Sequence, residues 1–344
     1  MAERILKFTE AIKDATDQLL QADADVCVIG LGVTYKNGAD GTTGGLAEKY
    51  PGRVFDVPVS EHAFTGMAVG AALSGLKPIV HHGRVEFALL ATDAIVTQAA
   101  KWNYMFGGGN PVPIVLRIAV GRQWGNGPQH TQALYGLFGG TPGLKVVIPS
   151  TPYMAKGLLV SAVKDPNPVV FLEPRWLYQT KQHVPSEMYT LPLDAARIVR
   201  PGTDVTVVAY GDGLVAAIEA RDLIKDRVAI ELIDVVSINP IDHATIVQSV
   251  AKTGKLICVD TTPGAFSVGS EIIALVSKTL PLSEKPIALT CPPVPCPTST
   301  VLTELYYPTK IDIANAALKC AKKTPIRHPL SFEELHLAPQ ITLT

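Results

Sequence analysis

Short apolar runs alternate along the chain with longer segments in which apolar residues recur at helical spacing. The runs are rich in Val and Ile, which predicts strands at 26–30, 54–57, 78–81, 114–117, 146–148, 169–172, 205–210, 228–233, 256–259 and 287–289. Helical spacing predicts helices at 2–20, 62–74, 88–101, 152–163, 214–225, 244–252, 268–278 and 311–321. Strands that are apolar on both faces are typical of parallel sheets covered by helices, so we predict an α/β fold.

A stretch rich in proline and polar residues, 181–202, interrupts this alternation, which then restarts. Two such blocks predict two doubly wound domains. We place the first domain at 1–185, a linker at 186–200, the second domain at 201–324 and a tail at 325–344. The tail has no clear pattern, and we expect it to wrap a neighbouring chain or to be loosely held.

Charge and composition exclude several classes of function. The 30 basic and 31 acidic residues give a net charge of −1 without a basic cluster, which argues against binding to nucleic acid or to an anionic membrane. Charged residues make up only 18% of the chain, and this low share suggests extensive subunit contacts. The uncharged run 62–76 is shorter than the roughly 20 residues of a spanning helix, and 286–303 carries five prolines.

The first segment has charges throughout and lacks the pattern of a secretory signal. The five cysteines have no zinc-site spacing, so we expect reduced thiols and a cytoplasmic location.

Several sequence blocks together point to one family. Phe55-Asp-Val-Pro-Val-Ser-Glu61 precedes a helix of small residues at 63–75, and Phe87 follows. Further on come Gly-Pro-Gln-His-Thr-Gln at 127–132 and Pro-Gly-Leu-Lys-Val-Val at 142–147. From about residue 4 to about 322, the chain resembles the beta subunit of the thiamine-diphosphate-dependent decarboxylase component of 2-oxoacid dehydrogenase complexes, of pyruvate or branched-chain type. The resemblance implies a transketolase-like pyrimidine-binding domain followed by a transketolase C-terminal-like domain.

The resemblance assigns roles to three residues. Glu61 matches the carboxyl group that protonates the aminopyrimidine ring of the cofactor, for which an apolar setting is favourable; without the family, a helix-initial Glu after Ser60 has an equally good explanation in the helix dipole. Phe87 matches the residue whose ring stacks on the aminopyrimidine, although a core position is the alternative. His130 matches the active-site histidine, and a loop beside Gly127 and Pro128 is an unusual place for a core residue.

The resemblance also implies metals. Ile114, Ala162, Val163, Asp165 and Asn167 match a potassium site made of backbone carbonyl groups, an Asp and an Asn, although an ordinary turn that ends a helix explains the Asp and Asn equally well. Mg²⁺ is expected to be held, with the diphosphate, mainly by an alpha-type partner chain. The predicted assembly is an α₂β₂ heterotetramer with a contact between beta subunits, and an acyltransferase core is a further possible partner.

Gly211-Asp-Gly213 with Ala216, followed by Glu231 and Asp234, fits a dinucleotide fingerprint. With Asn239 the same triplet also mimics the metal-and-diphosphate motif of thiamine enzymes. A tight strand-to-helix turn explains it too, and we interpret it as a decoy.

Two departures from the family bear on the substrate: Leu31 and Gly32 replace the usual acidic residues, and the segment 81–86 is unusual. A second hypothesis is therefore a split transketolase-like or acyloin-forming enzyme that transfers a two-carbon unit. His81, His82, Arg84 and Arg122 would then offer groups for a sugar phosphate. One of the two histidines is expected to line the active-site cleft. Two further hypotheses are a non-catalytic assembly subunit and a dinucleotide-binding enzyme.

Overall fold

The computed structural model describes residues 4–122, 126–303, 305–327, 329–331, 334 and 342–343. They form two compact units. The first unit holds residues 4–120, 137–193 and 342–343, and the second holds the described residues of 121–136 and 194–337. No helix in these described ranges is long and apolar enough to cross a bilayer.

The strands of the chain are β1 (Ile5–Lys7), β2 (Val26–Gly30), β3 (Val54–Asp56), β4 (Lys77–His82), β5 (Val115–Val120), β6 (Lys145–Val147), β7 (Val169–Pro174), β8 (Lys181–His183), β9 (Arg197–Arg200), β10 (Val205–Ala209), β11 (Ile230–Asp234), β12 (Ser237–Asn239), β13 (Leu256–Pro263), β14 (Ile287–Cys291) and β15 (Thr342–Leu343). The α-helices are α1 (Phe8–Ala22), α2 (Leu46–Lys49), α3 (Glu61–Leu73), α4 (Val85–Ala88), α5 (Ala100–Met105), α6 (Tyr135–Gly139), α7 (Pro152–Lys164), α8 (Asp212–Ile224), α9 (His243–Thr253), α10 (Val268–Thr279), α11 (Thr300–Thr303) and α12 (Lys310–Cys320). A π-helical segment (Asp93–Ala99) precedes α5, and short 3₁₀ turns lie at Ala39–Gly41, Leu89–Ala91 and Arg175–Leu177.

In the first unit, parallel strands follow the order β6-β7-β5-β4-β2-β3. The residues of β2, β5 and β7 are buried throughout, because helices cover both faces of the sheet. The amphipathic α1 packs against α7, where the buried ammonium group of Lys156 lies 2.7 Å from the Asp14 carboxylate. A smaller sheet joins β8 to β1 and β15.

In the second unit, the strand order is β14-β13-β10-β11-β9, with β9 antiparallel to β11 and the other neighbours parallel. Its core is formed by β10, β11 and β13 together with the inner faces of α8 and α12. The chain leaves β10 toward β11 through α8 and returns through α9 to β13, on the other side of β10. This reversal creates a topological switch point at the carboxyl ends of β10 and β13.

The predicted α/β class and the ten predicted strands are confirmed, mostly to within two residues. The predicted helix 88–101 is wrong in detail, because a 3₁₀ turn, a π-helical segment and a short α-helix replace it. The N-terminal helix begins at Phe8, since residues 5–7 pair with β8; residues 2–3 of the prediction lie outside the described part of the chain. The stretch predicted as irregular contains β8 and β9, whose partners are distant in sequence.

Most of the predicted tail, including 335–341, also lies outside the described residues. The described part of it contacts its own chain: Thr342–Leu343 pairs with β8, and Glu334 forms an ion pair with Lys310.

Candidate active site

Glu61 lies at the start of α3, just after the carboxyl end of β3. Its side chain is 6% exposed, and among the described residues no group donates a hydrogen bond to its carboxylate or forms an ion pair with it. The Ser60 hydroxyl does not cap the helix, although the helix dipole favours a negative charge at this position. Among the described residues the Glu61 carboxylate has no partner, so it is open to a nitrogen of an aminopyrimidine ring, and the residue fits the expected cofactor.

Helix α3 has two different apolar faces. The inner face, with Phe64, Thr65 and Ala68, is buried against the sheet. The outer face carries exposed residues, namely His62, Ala63, Gly66, Met67 and Gly70. No Cβ atom added at Gly66 or Gly70 would meet another described atom of the chain.

Phe87 lies in the same unit as Glu61, on the short helix α4. Its side chain is 37% exposed, which is high for a large apolar residue. The ring therefore has a surface available for stacking, as the resemblance implies.

His81 and His82, at the end of β4, are both buried, so neither opens onto solvent in the unit. The Nε2 atom of His82 lies 3.2 Å from the Thr65 hydroxyl of α3, and its ring packs against Phe64 at 5.2 Å between centroids. Burial lowers the pKa of His82 to about 4. Burial, and then the charge of Arg117, lower the pKa of His81 well below its ordinary value. Both rings are neutral near pH 7, and with Arg84 also buried they do not form an exposed basic surface.

A buried ion pair lies next to these histidines. Arg117 of β5 and Glu173 of β7 are both fully buried, with 2.5 Å between Nε and Oε1. The Tyr178 hydroxyl donates to the same carboxylate at 3.0 Å. Sequence reasoning missed this pair, although a charged residue inside each of two apolar strands was a usable signal.

Of the predicted potassium ligands, Ala162 and Val163 lie in the last turn of α7, Asp165 and Asn167 follow that helix, and Ile114 immediately precedes β5. Ile114, Ala162 and Val163 are buried, and the Ile114 carbonyl accepts a hydrogen bond from the Val169 N–H at 3.0 Å. Asp165 accepts from the Asn167 N–H at 2.9 Å and forms an ion pair with Lys145. Helix-end carbonyl groups and carboxylate and amide oxygens are hard ligands, so the donor set fits an alkali cation.

An open cavity of about 520 Å³ adjoins these residues, and Asn103, Lys145 and Asn167 line part of it. The Asn103 side chain donates to Oδ1 of Asn167 at 2.8 Å. No cluster of three or more His, Cys, Asp or Glu side chains suited to a metal occurs within the described ranges.

His130 belongs to the second unit, on the segment 126–136. It is half-buried, and its backbone N–H donates to the Gly127 carbonyl at 3.3 Å. The Thr131 hydroxyl donates to the same carbonyl at 2.7 Å, and the N–H of Gly121 donates to the Gln132 carbonyl at 2.8 Å. The segment is thus held in a closed turn beside His130.

The Gly211-Asp-Gly213 motif is explained by packing. Gly211 has a φ of +55° at the turn into α8, and a Cβ at Gly213 would lie 3.3 Å from Val259 of β13. Asp212 is buried and lies 3.4 Å from the Arg122 guanidinium, while the Thr261 hydroxyl donates to it at 3.0 Å. Of the two acidic residues of the dinucleotide interpretation, Glu231 is buried and paired with Lys252, and Asp234 is buried and accepts from the Val236 N–H at 3.3 Å. All three carboxylates therefore have partners within the unit, and the structural interpretation accounts for the motif.

Comparisons with known proteins agree with the architecture. Residues 5–181 match the transketolase pyrimidine-binding domain family, and residues 194–313 match the transketolase C-terminal domain family. Among solved structures, a split-gene transketolase described as an inactive beta4 tetramer has a TM-score of 0.76, covering 92% of this chain and 98% of that chain. At 20% identity, this likeness shows the fold alone.

Curated relatives are closer in sequence. The beta subunit of acetoin:2,6-dichlorophenolindophenol oxidoreductase from Cupriavidus necator is 39% identical over 332 residues, covering 93% of this chain and 98% of the relative. The beta subunit of the pyruvate dehydrogenase E1 component from Acholeplasma laidlawii is 42% identical over 277 residues, covering 80% and 85%. These matches confirm the resemblance seen in the sequence. The chain belongs to the transketolase-like family of beta subunits of thiamine-diphosphate-dependent 2-oxoacid dehydrogenases.

Proposed function

We propose that this chain supplies the aminopyrimidine side of a thiamine diphosphate site in an enzyme that decarboxylates a 2-oxo acid, and that an alpha subunit completes the site. The observation that carries the proposal is the buried Glu61 carboxyl group, which has no internal partner among the described residues. When bound, the cofactor supplies a nucleophilic thiazolium carbon. Glu61 holds a proton on the ring nitrogen of the aminopyrimidine, which is the task of a general acid–base group.

Phe87 and His130 have complementary roles in this proposal. The exposed ring of Phe87 stacks on the aminopyrimidine and limits its rotation, with a contribution of about 1 kcal/mol. The imidazole of His130 donates to negative charge that develops on the substrate oxygen. The half-buried position of His130 on a closed turn supports this role, since a donor must be held in place before the reaction.

The proposed partner is an alpha-type chain that carries the diphosphate and Mg²⁺ in an α₂β₂ heterotetramer with a beta–beta contact. The exposed outer face of α3, with Ala63, Gly66, Met67 and Gly70, supports a subunit contact directly beside Glu61, because small and apolar residues allow close packing. An acyltransferase core is a further proposed partner in a dehydrogenase complex. The five cysteines are buried free thiols, which is in keeping with the cytoplasmic location we propose.

We also propose that Ile114, Ala162, Val163, Asp165 and Asn167 hold a potassium ion. The ion would join the last turn of α7 to Ile114, whose carbonyl already accepts a hydrogen bond from Val169 at the start of β7. The proposed role of the ion is structural, since none of these ligands is among the proposed catalytic and cofactor-binding residues, Glu61, Phe87 and His130.

A second candidate function is the transfer of a two-carbon unit to or from an acyloin. Two relatives named as acetoin:2,6-dichlorophenolindophenol oxidoreductase beta subunits match 93% and 92% of this chain, at 39% and 38% identity. The choice between the two reactions depends on the acceptor. Turnover of 2-oxo acids with an artificial electron acceptor, compared with product analysis after adding an aldehyde, separates them.

The decisive experiment reconstitutes the chain with its alpha-type partner and measures thiamine diphosphate and Mg²⁺ binding by calorimetry. Binding is expected only with both chains present, and tight binding by this chain alone would remove the two-chain model. Glu61→Gln is expected to lower kcat by about 10²- to 10⁴-fold, as for loss of a general acid–base group. Glu48→Gln, at an exposed position on α2, is the matched control. Unchanged turnover by Glu61→Gln would favour a non-catalytic assembly subunit.

A further inference from the structure

The switch point of the second unit is a place where open α/β sheets commonly bind a ligand. In this unit, the carboxyl ends of β10 and β13 present Asp212 and Thr261. These two side chains are joined, because the Thr261 hydroxyl donates to Oδ1 of Asp212 at 3.0 Å. The remaining carboxylate oxygen of Asp212, Oδ2, faces the guanidinium group of Arg122.

The Nε atom of Arg122 lies 3.4 Å from Oδ2 of Asp212, and the two side chains are 19% and 5% exposed. The guanidinium group also lies over the ring of Tyr307, with 4.8 Å from Cζ to the centroid. A planar guanidinium that is both paired and stacked is held more firmly than an ordinary surface ion pair.

The far end of residues 126–136 meets the same groups, because Tyr135 has a side-chain hydrogen bond with Thr261, which also contacts Asp212. Tyr135 is buried and makes an edge-on contact with Tyr210 of the same unit, with 5.4 Å between centroids. A Cβ atom at Gly136 would lie 2.5 Å from the Phe266 carbonyl oxygen, so the backbone at Gly136 passes very close to the loop between β13 and α10. At Gly127, where φ is +67°, an added Cβ would clash with the Thr298 hydroxyl oxygen.

His130 lies between these anchors. Its own N–H and the Thr131 hydroxyl both contact the Gly127 carbonyl, and Gly127 is the residue that approaches Thr298. The position of the imidazole therefore depends on the contacts that residues 126–136 make with the rest of the second unit. Arg122 precedes this segment, and its ion pair with Asp212 fixes the chain to the start of α8.

We propose that Asp212 is a positioning residue for His130, and that it acts through Arg122. The crevice at the switch point then serves as the docking site for the chain's own histidine-bearing segment, in place of a nucleotide or metal–diphosphate. The inference rests on the proposed function, since it concerns the placement of a histidine to which we assign a catalytic role.

The test combines hydrogen exchange with kinetics. Asp212→Asn keeps the size of the side chain and an acceptor for Thr261 but removes the charge that Arg122 faces. Hydrogen exchange of the peptide spanning 126–136 is expected to rise in this variant, with the strands of the second unit unchanged. In the reconstituted enzyme, kcat is expected to fall by about 10- to 100-fold with little change in KM, because His130 is misplaced and substrate binding is retained.

A double-mutant cycle separates positioning from a general structural role. If Asp212 acts through His130, Asp212→Asn combined with His130→Ala loses no more activity than His130→Ala alone. The matched control is Asp222→Asn, an exposed acid on the same helix that pairs with its neighbour Arg221. Should Asp212→Asn fail to fold, Arg122→Lys replaces it in the same measurements. This substitution changes the more exposed partner of the ion pair and removes the stacking of the guanidinium group on Tyr307.

The outcomes are distinct. Unchanged exchange in 126–136, or losses in the double variant that multiply, would overturn the inference. If exchange rises but His130→Ala leaves turnover intact, the catalytic role of His130 is wrong and the positioning role is overturned with it. Increased exchange together with non-additive losses is the result we expect.

Discussion

The buried ion pair between Arg117 and Glu173 offers a sharp test of how the first unit is stabilised. Both side chains are fully buried on neighbouring parallel strands, and two contacts join them, at 2.5 Å and 3.1 Å. The Tyr178 hydroxyl satisfies a further position of the carboxylate at 3.0 Å. Each charge is therefore compensated only as long as the other is present.

The perturbation is Glu173→Gln, which preserves shape and removes the negative charge. At a separation of about 3 Å and an effective dielectric constant near 20, the lost Coulomb attraction is roughly 5 kcal/mol. Experience with buried pairs gives a similar loss of about 3–5 kcal/mol when one partner is removed, because the other charge stays buried without compensation. The guanidinium group of Arg117 has no route to solvent at 0% exposure, so we expect a value in this range.

The assay is urea unfolding of the isolated chain, followed by far-UV circular dichroism. With a slope of about 2–3 kcal/mol per molar urea, the midpoint of the first unit is expected to fall by roughly 1–2 M. Asp222→Asn, which removes a surface pair with 59% exposure of the acid, is the control and is expected to change stability by less than about 1 kcal/mol.

The double variant Arg117→Met with Glu173→Met decides whether the reasoning is right. Removing both charges removes the desolvation penalty as well, so the double variant is expected to be more stable than Glu173→Gln. It retains a loss of about 1 kcal/mol from the Tyr178 hydroxyl, which no longer has its acceptor. A double variant that is less stable than the single one, or a single variant that matches the surface control, would refute the argument.

Two further predictions concern pH and cations. Burial lowers the pKa of His82 to about 4, so between pH 6.5 and pH 4 the unfolded chain binds a proton at this residue that the folded chain does not bind. The free energy of unfolding is therefore unaffected by His82 above pH 6.5 and falls by up to about 3 kcal/mol as the pH is lowered toward 4. His82→Gln keeps a partner for Thr65 without titrating, and unfolding curves from pH 7 to 4 should show a shallower loss; an identical slope would count against the assignment. For the proposed potassium site, the melting temperature is expected to be higher in potassium chloride than in choline chloride. When the potassium concentration is one hundred times the dissociation constant of the site, binding stabilises the folded chain by about 2.7 kcal/mol. Asp165→Asn should reduce this difference, and equal melting temperatures in the two salts would remove the site.

The chain's local pattern was sufficient for the elements of both sheets. Runs such as 26–30 and 205–210 are almost entirely apolar, and this composition by itself requires cover on both faces and hence a parallel sheet within an α/β fold. The position of Glu61 followed in the same way, because a strand, a short loop and a helix of small residues are all local features. The short strands β8 and β9 were not predictable, since their pairing partners lie far away in sequence.

The surroundings of the functional side chains were decided only by tertiary structure. The sequence placed His81 and His82 on a strand, but their burial and low pKa depend on Phe64, Thr65 and Arg117, which approach from other elements.

The meaning of Gly211-Asp-Gly213 was equally open in the sequence. A nucleotide site, a metal–diphosphate motif and a tight turn share the same local pattern, and the contact of Asp212 with Arg122, some 90 residues earlier, separates them. Periodicity reports which face of an element is buried, whereas the identity of the groups that meet there depends on long-range packing. The sequence therefore determined the architecture and the family, and the tertiary structure decided which charged groups of the described residues have partners, as Asp212 and Glu173 do.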